Sequence, residues 1–201
     1  KRTVLEVMRQ PMEEREVTIS RARFSVDYPA SFMLIASMNP CPCGYYNHPE
    51  KDCVCAPGVV QNYLNKISGP LLDRIDIHIE VTPVKFDELS DKRPAEPSEH
   101  VRDRVMKARL LQEARFEKNK GIYCNAQMTK QMINQHCEID QAGQALLKRA
   151  MERLGLSARA YDRILKVSRT IADLAESEAI LPEHLAEAIQ YRSLDRDSWA
   201  G

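Results

Sequence analysis

Apolar and polar positions change their spacing along the chain, and each spacing predicts a different element. Between Lys1 and Gln10, Val4, Leu5, Val7 and Met8 share roughly one helical face, and Pro11 is expected to halt that helix. Val17 and Ile19 then alternate with polar residues, as do Phe24 and Val26. Between them lies Ser20-Arg21-Ala22-Arg23, so two short strands with a basic tip are expected over Glu16 to Val26. Phe32 to Met38 is almost wholly apolar and closes on Asn39-Pro40. That pattern predicts a strand buried on both faces, as inside a parallel sheet, ending where Pro40 cannot join a ladder. Ligands collect beyond the carboxyl ends of such strands, which would put Asn39 on a functional rim. A strand-end Asn closing a turn is the plainer reading.

Gly58 to Lys66 reads as a helix broken by Ser68-Gly69-Pro70. Ile77 to Val81 alternates as a strand closed by Pro83, with His78 on its polar side. Residues 84–97 are polar, carry Pro94 and Pro97, and read as a linker. Beyond it helical spacing dominates. Ser98 is expected to cap a long helix with Val101, Val105, Ala108, Leu111 and Ala114 inward, ending before Gly121. A shorter helix covers about Thr129 to Gln135. Asp140 caps the next, through Ala145, Leu146, Ala150 and Leu154, and Gly155 suits its left-handed end. Ser157 caps Ala158 to about Glu176, with Ile164, Val167, Ile171 and Leu174 inward, and Pro182 opens a last helix to Arg192. The predicted class is α/β, with strands in residues 1–83 and an all-helical part over 98–201.

Charge narrows the choice little, because 29 basic and 29 acidic side chains cancel and leave no global field to attract nucleic acid or membrane. No apolar run approaches the ~18 residues of a membrane span, and nothing at the start resembles a signal peptide. The chain opens on Lys1-Arg2-Thr3 without Met, as a piece of something longer would. Six cysteines without a secretory context suit a reducing compartment, so a cytoplasmic location is expected.

Four of those cysteines carry candidate chemistry. Cys41-Pro-Cys43 and Cys53-Val-Cys55 form two C-x-C pairs nine residues apart, a spacing that lets two chain segments supply four soft ligands to zinc. Reduced thiols in a loop are the alternative, and His48 between the pairs offers a substitute ligand. Cys124 and Cys137 read as ordinary thiols. Arg74, flanked by Asp73 and Asp76, reads from the residues alone as one half of an intramolecular salt bridge. Arg21 and Arg23 suit either a phosphate contact or a solvated turn. Arg159 falls in the first turn of the helix capped by Ser157, where a cation opposes the helix dipole by a few tenths of a kcal/mol. An anion brought to that end would justify it.

Three blocks, Ile35-Ala36-Ser37-Met38-Asn39-Pro40-Cys41-Pro42-Cys43-Gly44, Ser68-Gly69-Pro70-Leu71-Leu72-Asp73-Arg74-Ile75-Asp76, and Leu156-Ser157-Ala158-Arg159-Ala160 with Arg169-Thr170-Ile171-Ala172-Asp173-Leu174, resemble the magnesium-chelatase-like AAA+ ATPases. The resemblance is to the bacterial competence-associated branch, not the chlorophyll-pathway subunit. It implies that residues 1–83 are the C-terminal half of an AAA+ core and that 98–201 are its lid. Asn39 would then be the sensor-1 residue that positions the attacking water. Arg74 would be an arginine finger reaching the nucleotide of a neighbouring subunit in a hexameric ring. Arg159 would be the sensor-2 arginine, touching nucleotide and tying lid position to its state. The hairpin would face the pore, with Arg21 and Arg23 as candidate DNA contacts, and the full-length protein would use ATP and Mg2+.

One departure is large. The sequence holds no G-x-x-x-x-G-K-[ST] and no apolar run ending in Asp-Glu, so the phosphate cradle and the magnesium-binding acid are missing. The chain alone is therefore expected not to hydrolyse ATP, and its opening strand to be undercovered, inviting self-association or a rearranged sheet. Three functions follow in order: part of an ATP-driven ring motor acting on DNA, a zinc-stapled protein-interaction module, and a subunit driving metal insertion into a tetrapyrrole. Nothing in the residues resembles a porphyrin site.

Overall fold

A computed structural model describes residues 2–84 and 94–192, which fall into two compact units, one ending at Ile75 and one beginning at Asp76. Most of the expected linker and the residues after Arg192 lie outside the described residues. Among the described residues no helix is long and apolar enough to cross a membrane.

The first unit opens with α1 (Arg2–Val7) and α2 (Arg9–Glu14). The break falls at Met8 rather than at Pro11, which sits in the first turn of α2, where the missing N–H is not needed. Arg15 closes α2 in the left-handed region (φ 60°), its N–H donating to the Pro11 carbonyl at 3.0 Å. The hairpin follows as β1 (Glu16–Arg21) and β2 (Phe24–Pro29), antiparallel, with Arg21 opposite Phe24 across a two-residue turn. Alternation puts the Val17–Tyr28, Ile19–Val26 and Arg21–Phe24 pairs on one face. The other face is polar: Thr18 Oγ1 donates to Asp27 Oδ1 at 2.7 Å, and the Ser20 and Ser25 hydroxyls meet at 2.8 Å. At the hairpin base the Ala30 N–H donates to the Arg15 carbonyl at 2.7 Å.

Phe32 to Met38 does not form the expected buried strand, and the hairpin is the only sheet among the described residues, so no parallel-sheet remnant is found there. Met33 and Ile35 are 82% and 81% exposed. The reason is backbone accounting: a strand covered on both faces needs neighbours on both edges to take up its N–H and C=O groups. Among the described residues no strand flanks this segment. The chain continues through the cysteine loop into α3 (Pro57–Leu64) and the one-turn α4 (Gly69–Leu72), whose cap Ser68 accepts the Leu71 N–H at 3.3 Å.

The second unit is helical: α5 (Ser98–Phe116), a 3-10 turn (Asn125–Gln127), α6 (Lys130–His136), α7 (Gln141–Leu154), α8 (Ala158–Leu174) and α9 (Pro182–Gln190). Its core gathers Phe116, Ile133, Leu147, Ile164, Ala172 and Leu185 around α8. The expected caps are present. Asp140 Oδ1 accepts the Gly143 N–H at 2.7 Å, Ser157 Oγ accepts the Ala160 N–H at 3.2 Å, and Gly155 is left-handed at φ 62°. Ser98, by contrast, is the first helical residue and makes no cap bond; Pro97 holds the cap position.

Two packing expectations fail. In α5 the buried positions are Ala108, Gln112 and Phe116, while Val101, Val105, Leu111 and Ala114 are exposed. The stripe is set by Gln112, whose side-chain oxygen accepts the Asn125 N–H at 3.1 Å, and by Phe116, packed edge-on against His136. Ile77 to Val81 forms no strand. His78, expected outside, is buried, with its N–H on the Tyr191 carbonyl at 2.8 Å, and Ile77, Ile79 and Val81 face outward.

Beneath α8 lies a polar network that hydrophobic patterning does not anticipate. The Asp173 carboxylate accepts from Arg115 (2.5 and 2.8 Å), from Arg169 Nε (3.1 Å) and from Asn125 Nδ2 (2.8 Å). Arg169 spends its other nitrogens on the Ser177 and Glu178 carbonyls at 2.5 and 2.7 Å, fastening the turn after α8.

Candidate metal centre and arginine site

The loop after Pro40 folds so that both cysteine pairs converge. Gly44, at φ 84°, takes a turn that a side chain would strain, and its N–H donates to the Cys41 carbonyl at 3.0 Å. The second pair lies against the first, and α3 covers both: Val60 and Leu64 pack on the fully buried Cys41, with Tyr46 and Tyr63 alongside. The sulfurs of Cys41, Cys43, Cys53 and Cys55 all lie within 4.8 Å of one another. Cys41–Cys43, Cys43–Cys53 and Cys41–Cys53 are 3.3, 3.6 and 3.7 Å apart, and none of the four is in a disulfide. A tetrahedron with zinc–sulfur bonds of about 2.3 Å has edges of about 3.8 Å, so the donor set fits that ion. His48 is not in the cluster; its Nδ1 accepts the Glu50 and Lys51 N–H groups at 3.0 and 3.1 Å.

Backbone N–H groups aim at the sulfurs and split their proton affinities. The Tyr45 N–H, against burial, and the Val54 N–H bring the Cys43 thiol down to about 6. Burial pushes Cys41 up, but the Tyr46 and Gly44 N–H groups leave it below the ordinary thiol range. At Cys53 the Cys55 N–H pulls downward, yet burial and the Cys43 and Cys41 sulfurs together push the thiol up to about 12. Cys55 is raised as well: the Cys43 N–H lowers it, outweighed by burial and the same two sulfurs. Four thiolates so close repel one another, and a dication removes the conflict. Cys137 sits apart in the helical core, where burial raises its thiol to about 11.

Arg74 is held elsewhere in the first unit. Its side chain is 7% exposed; Nε donates to Glu13 Oε2 at 2.9 Å, Nη2 to the same oxygen, and Nη1 to the Pro70 carbonyl at 2.7 Å. A salt bridge is thus present, but its partner is not a flanking aspartate: Asp76 pairs with Arg163. Glu6, also on the opening helices, has its carboxyl held below the usual range by the Ser68 hydroxyl and by Arg9. The Glu13 carboxylate of α2 therefore holds the Arg74 end of the Ser68–Arg74 segment. Sequence reasoning missed Glu13, and no local signal marks a partner 61 residues away.

The remaining candidates stand at surfaces. Asn39 is exposed at the end of the extended segment, Arg21 and Arg23 are exposed at the hairpin tip, and Arg159 is exposed on the first turn of α8.

A profile for magnesium chelatase, subunit ChlI, matches residues 1–89, and one for its C-terminal part matches residues 95–192. The chain belongs to the magnesium-chelatase-like family. Its similarity runs to the competence-associated branch: it is 42% identical to Competence protein ComM of Haemophilus influenzae over 196 residues, covering 97% of this chain. It is 40% identical over 199 residues to Uncharacterized protein YifB of Escherichia coli. The match to Uncharacterized protein Rv2897c of Mycobacterium tuberculosis is 33% over 190 residues, 94% of this chain. The chain spans 37% of the length of each of these relatives.

Proposed function

We propose that this chain is the C-terminal part of an AAA+ ATPase whose subunits form a hexameric ring and act on DNA. The observation that carries the reading is the three motif blocks, in family order, inside the two matched stretches at 1–89 and 95–192. In this reading Asn39 orients the attacking water, Arg74 reaches a neighbouring subunit's nucleotide, and Arg159 ties the lid to nucleotide state. The exposed arginines of the hairpin tip, and the name of the competence protein, favour DNA as the substrate. ATP and Mg2+ are bound largely by segments this chain does not contain. The isolated chain is expected to hydrolyse ATP no faster than a protein-free blank, whereas the intact protein should turn it over as a ring. Turnover by the isolated chain that survives Asn39→Ala would overturn the assignment.

The four cysteines bind one zinc, which staples the loop after Asn39 to α3. The sulfur geometry supports this, and so does the donation of backbone N–H groups that orient and stabilise thiolate ligands. Protein purified without chelator should carry about one zinc per chain, and Cys41→Ala should lose it. The proton balance follows from the thiols: near neutral pH Cys43 is already a thiolate, while Cys53 and Cys55 still hold their protons. Metal uptake should therefore release at least those protons, and affinity should weaken as pH falls. Elemental analysis well below one zinc would remove the metal from this account, and uptake without proton release would show that Cys53 and Cys55 are not its ligands.

A further inference from the structure

The structure shows Arg74 in a state from which it cannot serve a neighbour. Its guanidinium is almost wholly covered, and each of its three nitrogens has an acceptor: Glu13 for Nε and Nη2, the Pro70 carbonyl for Nη1. An arginine that stabilises charge on another subunit's phosphate must present its fork to that phosphate. We propose that Glu13 is a latch on Arg74: its carboxylate holds the guanidinium withdrawn, and the triphosphate of an adjoining subunit must displace it before Arg74 can act. The inference rests on the reading of Arg74 as an arginine finger and adds the residue that regulates it.

The latch is placed to be moved. Glu13 lies in the last turn of α2, two residues before Arg15. Arg15 ends that helix, and its carbonyl accepts the Ala30 N–H at the base of the hairpin. Glu13 thus sits on a short link to β1, and a polymer pulling the hairpin would shift the carboxylate that holds Arg74. Glu13 is partly exposed while Arg74 is not, so the carboxylate regains water when it lets go. Two anions compete for one fork, and the hairpin biases the exchange.

The test uses the intact ATPase. Glu13→Gln keeps shape and one acceptor but removes the charge that makes the pair strong. It should raise basal ATP turnover by at least about threefold, and Glu13→Asp, which keeps the charge, should stay near the wild-type rate. Glu13→Gln combined with Arg74→Ala should be as inactive as Arg74→Ala alone. A carboxylate that merely held the fold would, on removal, leave turnover unchanged or lower it. If Arg74→Ala is inactive while Glu13→Gln turns over at or below the wild-type rate, the latch is refuted and the finger stands. If Arg74→Ala remains active, the finger reading fails and the latch falls with it.

Discussion

On the proposed function, Arg74→Ala in the full-length protein is expected to lower ATP turnover by on the order of 10³–10⁵, equivalent to about 4–7 kcal/mol of barrier. The fold has a smaller stake in the same side chain. Arg74 ties α2 to the segment after α4 through Glu13 and the Pro70 carbonyl, and charged hydrogen bonds of this kind contribute about 1.5–3 kcal/mol. The variant should therefore melt measurably lower, yet remain folded. Were Arg74 only a salt-bridge residue, the stability loss would be the whole effect, and turnover per folded molecule would stay within a few-fold of wild type. Arg74→Lys sharpens the comparison, since it keeps the charge but not the two-pronged geometry, and should recover little turnover. Mixing Arg74→Ala subunits with Asn39→Ala subunits should restore part of the activity. Some interfaces of a mixed ring combine an intact sensor with an intact finger. Absence of complementation, with both variants assembled, would place Arg74 in its own subunit's site.

What could be read from the chain depended on how far the causes reach. The caps at Asp140 and Ser157, the left-handed Gly155 and the hairpin pairing are set within a few residues, and the structure has them where the sequence places them. The cysteine cluster was legible for a related reason: ligand type and spacing leave few ways to arrange two C-x-C pairs. Phe32 to Met38 misled because a strand is a property of its neighbours, and an apolar run does not say whether any neighbour is present. Ile77 to Val81 misled in the same way: it forms no strand, and of its five residues the packing buries only His78, which the alternation assigns to solvent. Along α5 the apolar stripe pointed to Leu111 and Ala114, whereas a hydrogen bond to Gln112 turns the helix onto another face. Glu13 and Asp173 act on residues 61 and 58 positions away, and no pattern within a window of a few turns reports such a partner.

Asp173 supports the second large expectation, on stability rather than turnover. Its carboxylate is 1% exposed and stands between two guanidiniums, while Asn125 donates to it as well. Removing one member of a buried charged group costs about 3–5 kcal/mol, because what remains is charge without its counter-ion. Asp173→Ala strands Arg115 and Arg169 together, two like charges that the carboxylate had separated. It also frees Arg169 from the α8 side of the turn it fastens through the Ser177 and Glu178 carbonyls. For a helical unit of this size each kcal/mol shifts Tm by about 4 °C, so the unit should melt at least about 12 °C lower. Asp173→Asn keeps the shape and one acceptor and should lie between wild type and Asp173→Ala. Truncating Arg115 as well should recover part of the loss, since one of the two stranded charges is then gone. Thermal unfolding of the 201-residue chain, followed by circular dichroism, reads all three. An Asp173→Ala chain melting within about 3 °C of wild type would mean that water reaches the two arginines and that the network is not the brace of the helical unit.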